Sequence, residues 1–230
     1  MVIGQKRVIL LTGDYGCGKT NLAVNLALLL AEKGKVSVVD MDTVNPYFRT
    51  ADFGEMLAER GINVVFPQYA NTNLDIPVLN FDLESIISQS DFTIIDVGGS
   101  DAGAYPVGRY ESLFKSLGDE LEMLYVFNMY RLCERSVDEV VRTLREIESA
   151  CRLKCTALVN NSNLGAETTP QIVAQTADFA EEIVERTGLP LRFTCVTENE
   201  NSDETHLPVK RLVTLPWEIQ ETGETEREYD

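Results

Sequence analysis

Cations are what this chain lacks most: 20 Lys and Arg stand against 37 Asp and Glu, a formal net charge of −17 over 230 residues. Binding along a DNA or RNA backbone relies on clustered Lys and Arg that displace counterions, so this balance argues against nucleic acid as a partner, local basic patches aside. Material for a metal centre is as scarce. The one histidine, His206, has no companions at ligand spacing and reads as a loop or surface residue. The five cysteines, Cys17, Cys133, Cys151, Cys155 and Cys195, form no C-x-x-C pair, and an odd number is no disulfide framework. Cys151 and Cys155 are read as buried or incidental reduced thiols. Apolar runs long enough to span a bilayer are missing, so no membrane association is expected. The polar stretch Gly4-Gln5-Lys6-Arg7 does not read as a secretory signal, which points to a soluble, cytoplasmic protein.

What the chain does have is concentrated near its start. Gly13-Asp14-Tyr15-Gly16-Cys17-Gly18-Lys19-Thr20 spells G-x-x-x-x-G-K-[ST], the phosphate-binding P-loop. The apolar run Val8-Ile9-Leu10-Leu11 before it reads as a buried strand. Asn21 to Lys33 after it, with Leu22, Leu26, Leu29 and Leu30 at helical spacing, reads as an amphipathic helix. Glycines allow the loop conformations barred to other residues, so that backbone N–H groups converge on phosphate oxygens, and the helix N-terminus adds positive potential. Lys19 would neutralise the outer phosphates, and the Thr20 hydroxyl would ligate a magnesium ion bound to them. Gly13 through Asn21 are therefore the expected nucleotide cradle.

With 44% hydrophobic residues the chain can bury a full core. Further strands are predicted at Val36–Asp40, Ile62–Phe66, Phe92–Asp96, Leu124–Asn128, Thr156–Asn160, Leu191–Val196 and Leu212–Leu215. Helices are predicted over Phe53–Arg60, Asp82–Ser90, Val137–Ala150 and Gln171–Thr187, and 67–77 reads as an exposed loop. This alternation predicts an α/β fold of three layers, a mostly parallel twisted sheet with helices on both faces, of P-loop NTPase type. One domain over 1–217 is expected, followed by an acidic solvated tail over 218–230. Ligands of such sheets bind at the carboxyl ends of strands, which gathers the P-loop, Asp40, Asp42, Asp96 and Asn160 along one edge. Asp96, at the end of an apolar strand and before Gly98-Gly99, has the setting of a magnesium-holding acid. One of the two glycine amides would contact the terminal phosphate.

Taken together, Gly13 to Thr20, Val38-Val39-Asp40-Met41-Asp42, Ile94-Ile95-Asp96-Val97-Gly98-Gly99 and Ala157-Leu158-Val159-Asn160 resemble the MinD/ParA-like group of P-loop ATPases. The resemblance implies that Asp42 positions or activates the attacking water, that Asp40 supports the magnesium shell, and that Asn160 reads adenine. It also sets Leu215-Pro216-Trp217 beside the base. No Asn/Thr-Lys-x-Asp motif for guanine is visible, so ATP is favoured over GTP, with Mg2+ as the metal.

One departure from the group concerns the early lysine that many members carry in the loop and that reaches across a dimer to the partner's phosphates. Here that position is Asp14, followed by Tyr15. Either the sandwich homodimer is absent, another cation substitutes, or Asp14 faces solvent or a partner. Arg49, and less so Arg109, are candidate substitutes. Neither a basic amphipathic helix for membrane positioning nor a basic DNA-binding face is visible. The expected activity is a slow Mg-dependent ATPase whose ATP and ADP states are read by a protein partner. A carboxylate-activating ligase resembling dethiobiotin synthetase or cobyrinic acid amidase, and a non-hydrolysing nucleotide-binding module, are the alternatives.

Overall fold

Apolar residues in runs of four or five build the centre of the molecule. In the computed structural model, which describes residues 5–42, 50–66 and 82–212, the first such run forms strand β1, Val8–Thr12, buried along its whole length. It leads through the P-loop into α1, Lys19–Ala31, then β2, Val36–Asp40. A 3-10 turn at Thr50–Phe53, α2 (Gly54–Glu59), β3 (Asn63–Val65), α3 (Leu83–Ser88) and β4 (Phe92–Asp96) follow. Next come α4 (Ser100–Ala104), a 3-10 turn at Tyr105–Tyr110, α5 (Glu111–Leu117), β5 (Leu121–Phe127) and α6 (Val137–Cys151). The order closes with β6 (Ala157–Asn160), α7 (Pro170–Ala174), α8 (Ala177–Thr187), β7 (Leu191–Thr197) and β8 (His206–Val209).

All neighbouring strands pair in parallel, in the order β3-β2-β4-β1-β5-β6-β7-β8. The period of two along each strand sends alternate residues to opposite cores. Val8 and Leu10 of β1, with Met123, Tyr125 and Phe127 of β5, pack against Phe114, Val140, Leu144 and Ile183 from α5, α6 and α8. Ile9 and Leu11, with Leu124 and Val126, pack on the other face against Leu22, Leu26 and Leu30 of α1 and Leu57 of α2. Both faces of a parallel sheet are thereby covered, which is why its strands read as continuous apolar runs.

Register places the candidate residues. Asp96 is the partner of Leu11 on one side and of Asp40 on the other, so two carboxylates and the entrance to the P-loop lie in one row across β2, β4 and β1. Strand order turns at β1, since the chain first builds toward β3 and then, from β5, in the opposite direction. Crevices at such reversals are where open α/β sheets take ligands.

The structure departs from the sequence expectations in three places. The helix expected over 171–187 is two helices, because the buried Thr176 hydroxyl donates to the Val173 carbonyl and accepts from the Asn160 amide. The glycine-containing stretch from Ser100 to Leu117 is helical, which Gly103, Pro106 and Gly108 concealed. Strand β8 includes Pro208, tolerated because β8 is at the sheet edge, and His206 sits in it exposed, its ring nitrogen 2.9 Å from Asp203. The strand expected over 212–215 and the acidic tail lie, apart from Leu212, outside the described residues.

Helix α6 starts with a reciprocal capping box between Ser136 and Glu139 and buries Val140, Leu144 and Ile147 on one face. Leu144→Ala should lower the unfolding free energy by about 2–5 kcal/mol, because Leu144 is fully buried. Leu132→Ala should change it by less than about 0.5 kcal/mol, since Leu132 is exposed. Urea titration of the two variants checks both.

Candidate phosphate-binding site

The loop after β1 takes its shape from what its neighbours leave no room for. A Cβ on Gly13 would stand 2.1 Å from the Val126 carbonyl oxygen of β5, so any side chain there forces the strands apart. Gly18 caps α1 at φ 94°, and a Cβ there would meet the Asn161 amide at 2.3 Å. Within this frame Lys19 is buried and folds back over the loop, its Nζ donating to the carbonyls of Asp14 at 2.9 Å and Gly13 at 3.2 Å. The Asp14 carboxylate accepts from the Tyr15 amide at 2.7 Å, and the Tyr15 side chain is exposed.

Asp96 is the hub. Its Oδ2 accepts from the hydroxyls of Thr20 at 2.7 Å and Thr50 at 2.9 Å, while its buried Oδ1 has no hydrogen-bond partner among the described residues. Burial pushes its carboxyl above the usual carboxylate range, against the opposing pull of Lys19 and the two hydroxyls. Asp40, also buried, accepts from the Asp42 amide at 2.9 Å. The loop after β4 presses on both acid and P-loop. A Cβ on Gly98 would stand 2.8 Å from Asp42 Oδ1, and one on Gly99 would stand 2.7 Å from the Tyr15 Cα. The structure therefore brings Gly13 through Thr20, Asp40, Asp42, Asp96, Gly98 and Gly99 to one place.

Two expected site residues are engaged elsewhere. Asn160 is buried, its amide donating to Thr176 at 2.7 Å and its oxygen accepting from the Ser162 amide at 3.1 Å, so both ends expected to read a base are used within the protein. Asn21 accepts from the Leu212 amide and donates to the Lys210 carbonyl, and with Asn25 it fastens the segment after β8 onto α1. Pro216, Trp217 and Arg49 lie outside the described residues. Arg109 is exposed in the 3-10 turn after α4.

Three residues without a motif join the site. Thr50 reaches Asp96 as described. Asn161 donates to the Cys17 carbonyl at 2.7 Å and supports the loop from β6. Glu134 is fully buried behind the loop, accepting from the Asn128 amide at 2.7 Å and the Tyr125 hydroxyl at 3.3 Å. A glutamate just before a capped helix carries no sequence signal for burial, and a lone threonine or asparagine carries none for its partner.

Charge is tightly packed here. Burial pulls the Lys19 pKa down, but the acidic groups around it raise it above the ordinary lysine value. Cys17 contributes little to that at neutral pH, because burial pushes its own thiol up to about 12. The carboxylates of Asp96, Asp42 and Glu134 hold the ammonium charged. Glu134 is pushed up to about 7, first by burial and then by Asp14, with the Asn128 amide, Lys19 and Tyr125 opposing.

Magnesium fits the donors present. The Thr20 hydroxyl and the unpartnered Asp96 oxygen are hard ligands, and no cluster of three or more His, Cys, Asp or Glu able to hold a metal occurs among the described residues. Such a site needs phosphate oxygens to complete the shell, as magnesium in nucleotide sites does.

No protein-family model and no curated protein sequence matches the chain. Solved structures do. FtsY from Mycoplasma mycoides superposes with a TM-score of 0.57 at 17% identity, over 85% of this chain and 61% of that one. FtsY from Thermotoga maritima gives 0.56 at 17% identity, over 84% and 63%. The signal recognition particle 54 kDa protein of Aeropyrum pernix, in complex with GDP, gives 0.54 at 18% identity, over 82% and 41%. The likeness is one of fold. By name these neighbours are signal recognition particle proteins and receptors, not MinD/ParA proteins. The chain spans about three fifths of the Mycoplasma FtsY length.

A carboxyl raised in the folded state contributes stability that is complete below its unfolded value of about 4.5 and is lost as pH rises through about 7. Glu134→Gln keeps an accepting oxygen but cannot ionise. The unfolding free energy of this variant minus that of the parent should therefore rise by roughly 3 kcal/mol between pH 4.5 and pH 8, measured by urea titration. A flat difference would show that Glu134 titrates as an ordinary carboxylate.

Proposed function

We propose that the chain is a magnesium-dependent P-loop nucleoside triphosphatase that works as a switch, and the observation that carries this is the Thr20–Asp96 contact beneath the Lys19 loop. Backbone N–H groups from Gly13 to Thr20 would hold the phosphates. Lys19 would exchange its two loop carbonyls for phosphate oxygens. Thr20 and Asp96 would hold magnesium, which would supply charge neutralisation for the phosphates. Asp40 would support that shell by holding the Asp42 amide.

Asp42 is the residue to place a water on the terminal phosphorus. As the water oxygen bonds to phosphorus, the bond to the bridging oxygen breaks, the proton passes toward the Asp42 carboxylate, and the diphosphate leaves. Gly98 sits against this carboxylate and Gly99 against the P-loop backbone, so loss of the terminal phosphate would be felt by the loop into α4. A protein partner reading that loop, and slow intrinsic turnover, follow from the switch reading. Action in the cytoplasm is part of the same proposal; no helix among the described residues is long and apolar enough to cross a membrane.

ATP is the proposed nucleotide, and membership of the MinD/ParA-like group the proposed affiliation, on the motifs and on the lack of a guanine-reading sequence. The Aeropyrum neighbour was solved with GDP, so both nucleotides belong in the test. Lys19→Ala should weaken MgATP binding by at least about a hundredfold, whereas Asp42→Asn should keep binding and lower turnover by about 10²–10³. Calorimetry and single-turnover phosphate release read these out. Tight binding of MgGTP but not MgATP would overturn the nucleotide assignment, and rapid hydrolysis unchanged by Asp42→Asn would overturn the mechanism.

A further inference from the structure

We infer that Arg131 supplies the second cation for the outermost phosphate of the bound triphosphate, filling the role left open by Asp14 from the loop between β5 and α6. The inference rests on the P-loop reading above. Its basis is geometric. A Cβ on Gly16, in the middle of the P-loop, would stand 3.5 Å from both Cζ and Nε of Arg131 and 3.8 Å from Nη2, so the guanidinium lies beside the loop, with no more than the width of a methyl group between them. Gly16 has φ 75°, and with no side chain of its own it leaves the Arg131 guanidinium close to the loop.

The guanidinium has nothing else to do. Its side chain is exposed and forms no hydrogen bond or ion pair with another described residue, in a chain with 37 acids to choose from. The backbone that carries it is fixed. The Arg131 amide donates to the Asn128 carbonyl at 2.9 Å, the Glu134 amide donates to the Arg131 carbonyl at 3.1 Å, and the Asn128 side chain accepts from the Tyr130 amide at 3.0 Å. Buried Glu134 anchors the same loop through Asn128 and Tyr125. A charge placed on a rigid support needs little reorganisation when the ligand arrives.

Arginine suits the task. Its guanidinium is planar and always charged, and it can take two phosphate oxygens at once. The Asp14 carboxylate is turned back onto its own loop, where it accepts from the Tyr15 amide at 2.7 Å. Lys19 would then meet the outer phosphates from within the loop, and Arg131 would meet the outermost one from beside it.

The test uses the full chain with the non-hydrolysable probes MgAMPPNP and MgGMPPNP against MgADP and MgGDP, by calorimetry. Arg131→Ala should weaken the triphosphate analogue that the parent binds by at least about tenfold, leave the matching diphosphate within about twofold, and keep the parent's thermal midpoint. Arg131→Lys should recover part of the loss. Unchanged triphosphate affinity in Arg131→Ala overturns the inference, and so does an equal loss for di- and triphosphate. Lys19→Ala run alongside separates the two readings: intact binding in that variant sinks the P-loop assignment itself, whereas lost binding there with unchanged Arg131→Ala sinks only the role of Arg131.

Discussion

One buried carboxylate organises this molecule's upper edge. Asp96 stands at the end of a central strand with Asp40 beside it in β2 and the P-loop strand on the other side, and its Oδ2 takes two hydroxyl hydrogen bonds from separate parts of the chain. An ionised acid this deeply buried is costly unless charge and donors surround it. Thr20, Thr50 and Lys19 provide part of that compensation, and the remaining unpartnered oxygen is what makes the place suitable for a hard cation. Removal of any one of these groups leaves the others in a setting that no longer matches their charge.

The second constraint is contact without side chains. Gly13 against Val126, Gly98 against Asp42 and Gly99 against Tyr15 are approaches that a single methyl group would block. Gly103 closes on Gly98 in the same way, a Cβ there falling 2.3 Å from the Gly98 carbonyl carbon. Three loops, after β1, β2 and β4, are consequently packed backbone to backbone or backbone to carboxylate. Close-packed parts shift together and not independently, so under the proposed function a phosphate gained or lost at one loop would displace the next. That coupling is what the proposed switch would use.

Much of the site was legible because its chemistry is local. The P-loop, the acids at the ends of β2 and β4 and the two glycines after Asp96 are runs of neighbouring residues whose types follow from the strand–loop–helix geometry, and the alternation of apolar runs with helical periods was enough for the three-layer sheet. The reading failed where a residue's role depends on a neighbour distant in sequence. Asn160 and Asn161 differ by one position, yet the pleat turns the first into the protein toward Thr176 and the second toward the P-loop. Nothing in the order of residues distinguishes them.

The same limit separates the rest. Sequence by itself determined the fold class, the P-loop motif and the acidic strand ends, since strand and helix periods and glycine-rich loops act over a few residues. Only the tertiary structure decided that Glu134 is buried behind the loop, that Thr50 joins Thr20 on Asp96, that Thr176 divides a helix, and that Arg131 lies beside Gly16. Each of these depends on which strands become neighbours in the sheet, and strand order is set by packing over the whole chain and not by any local pattern.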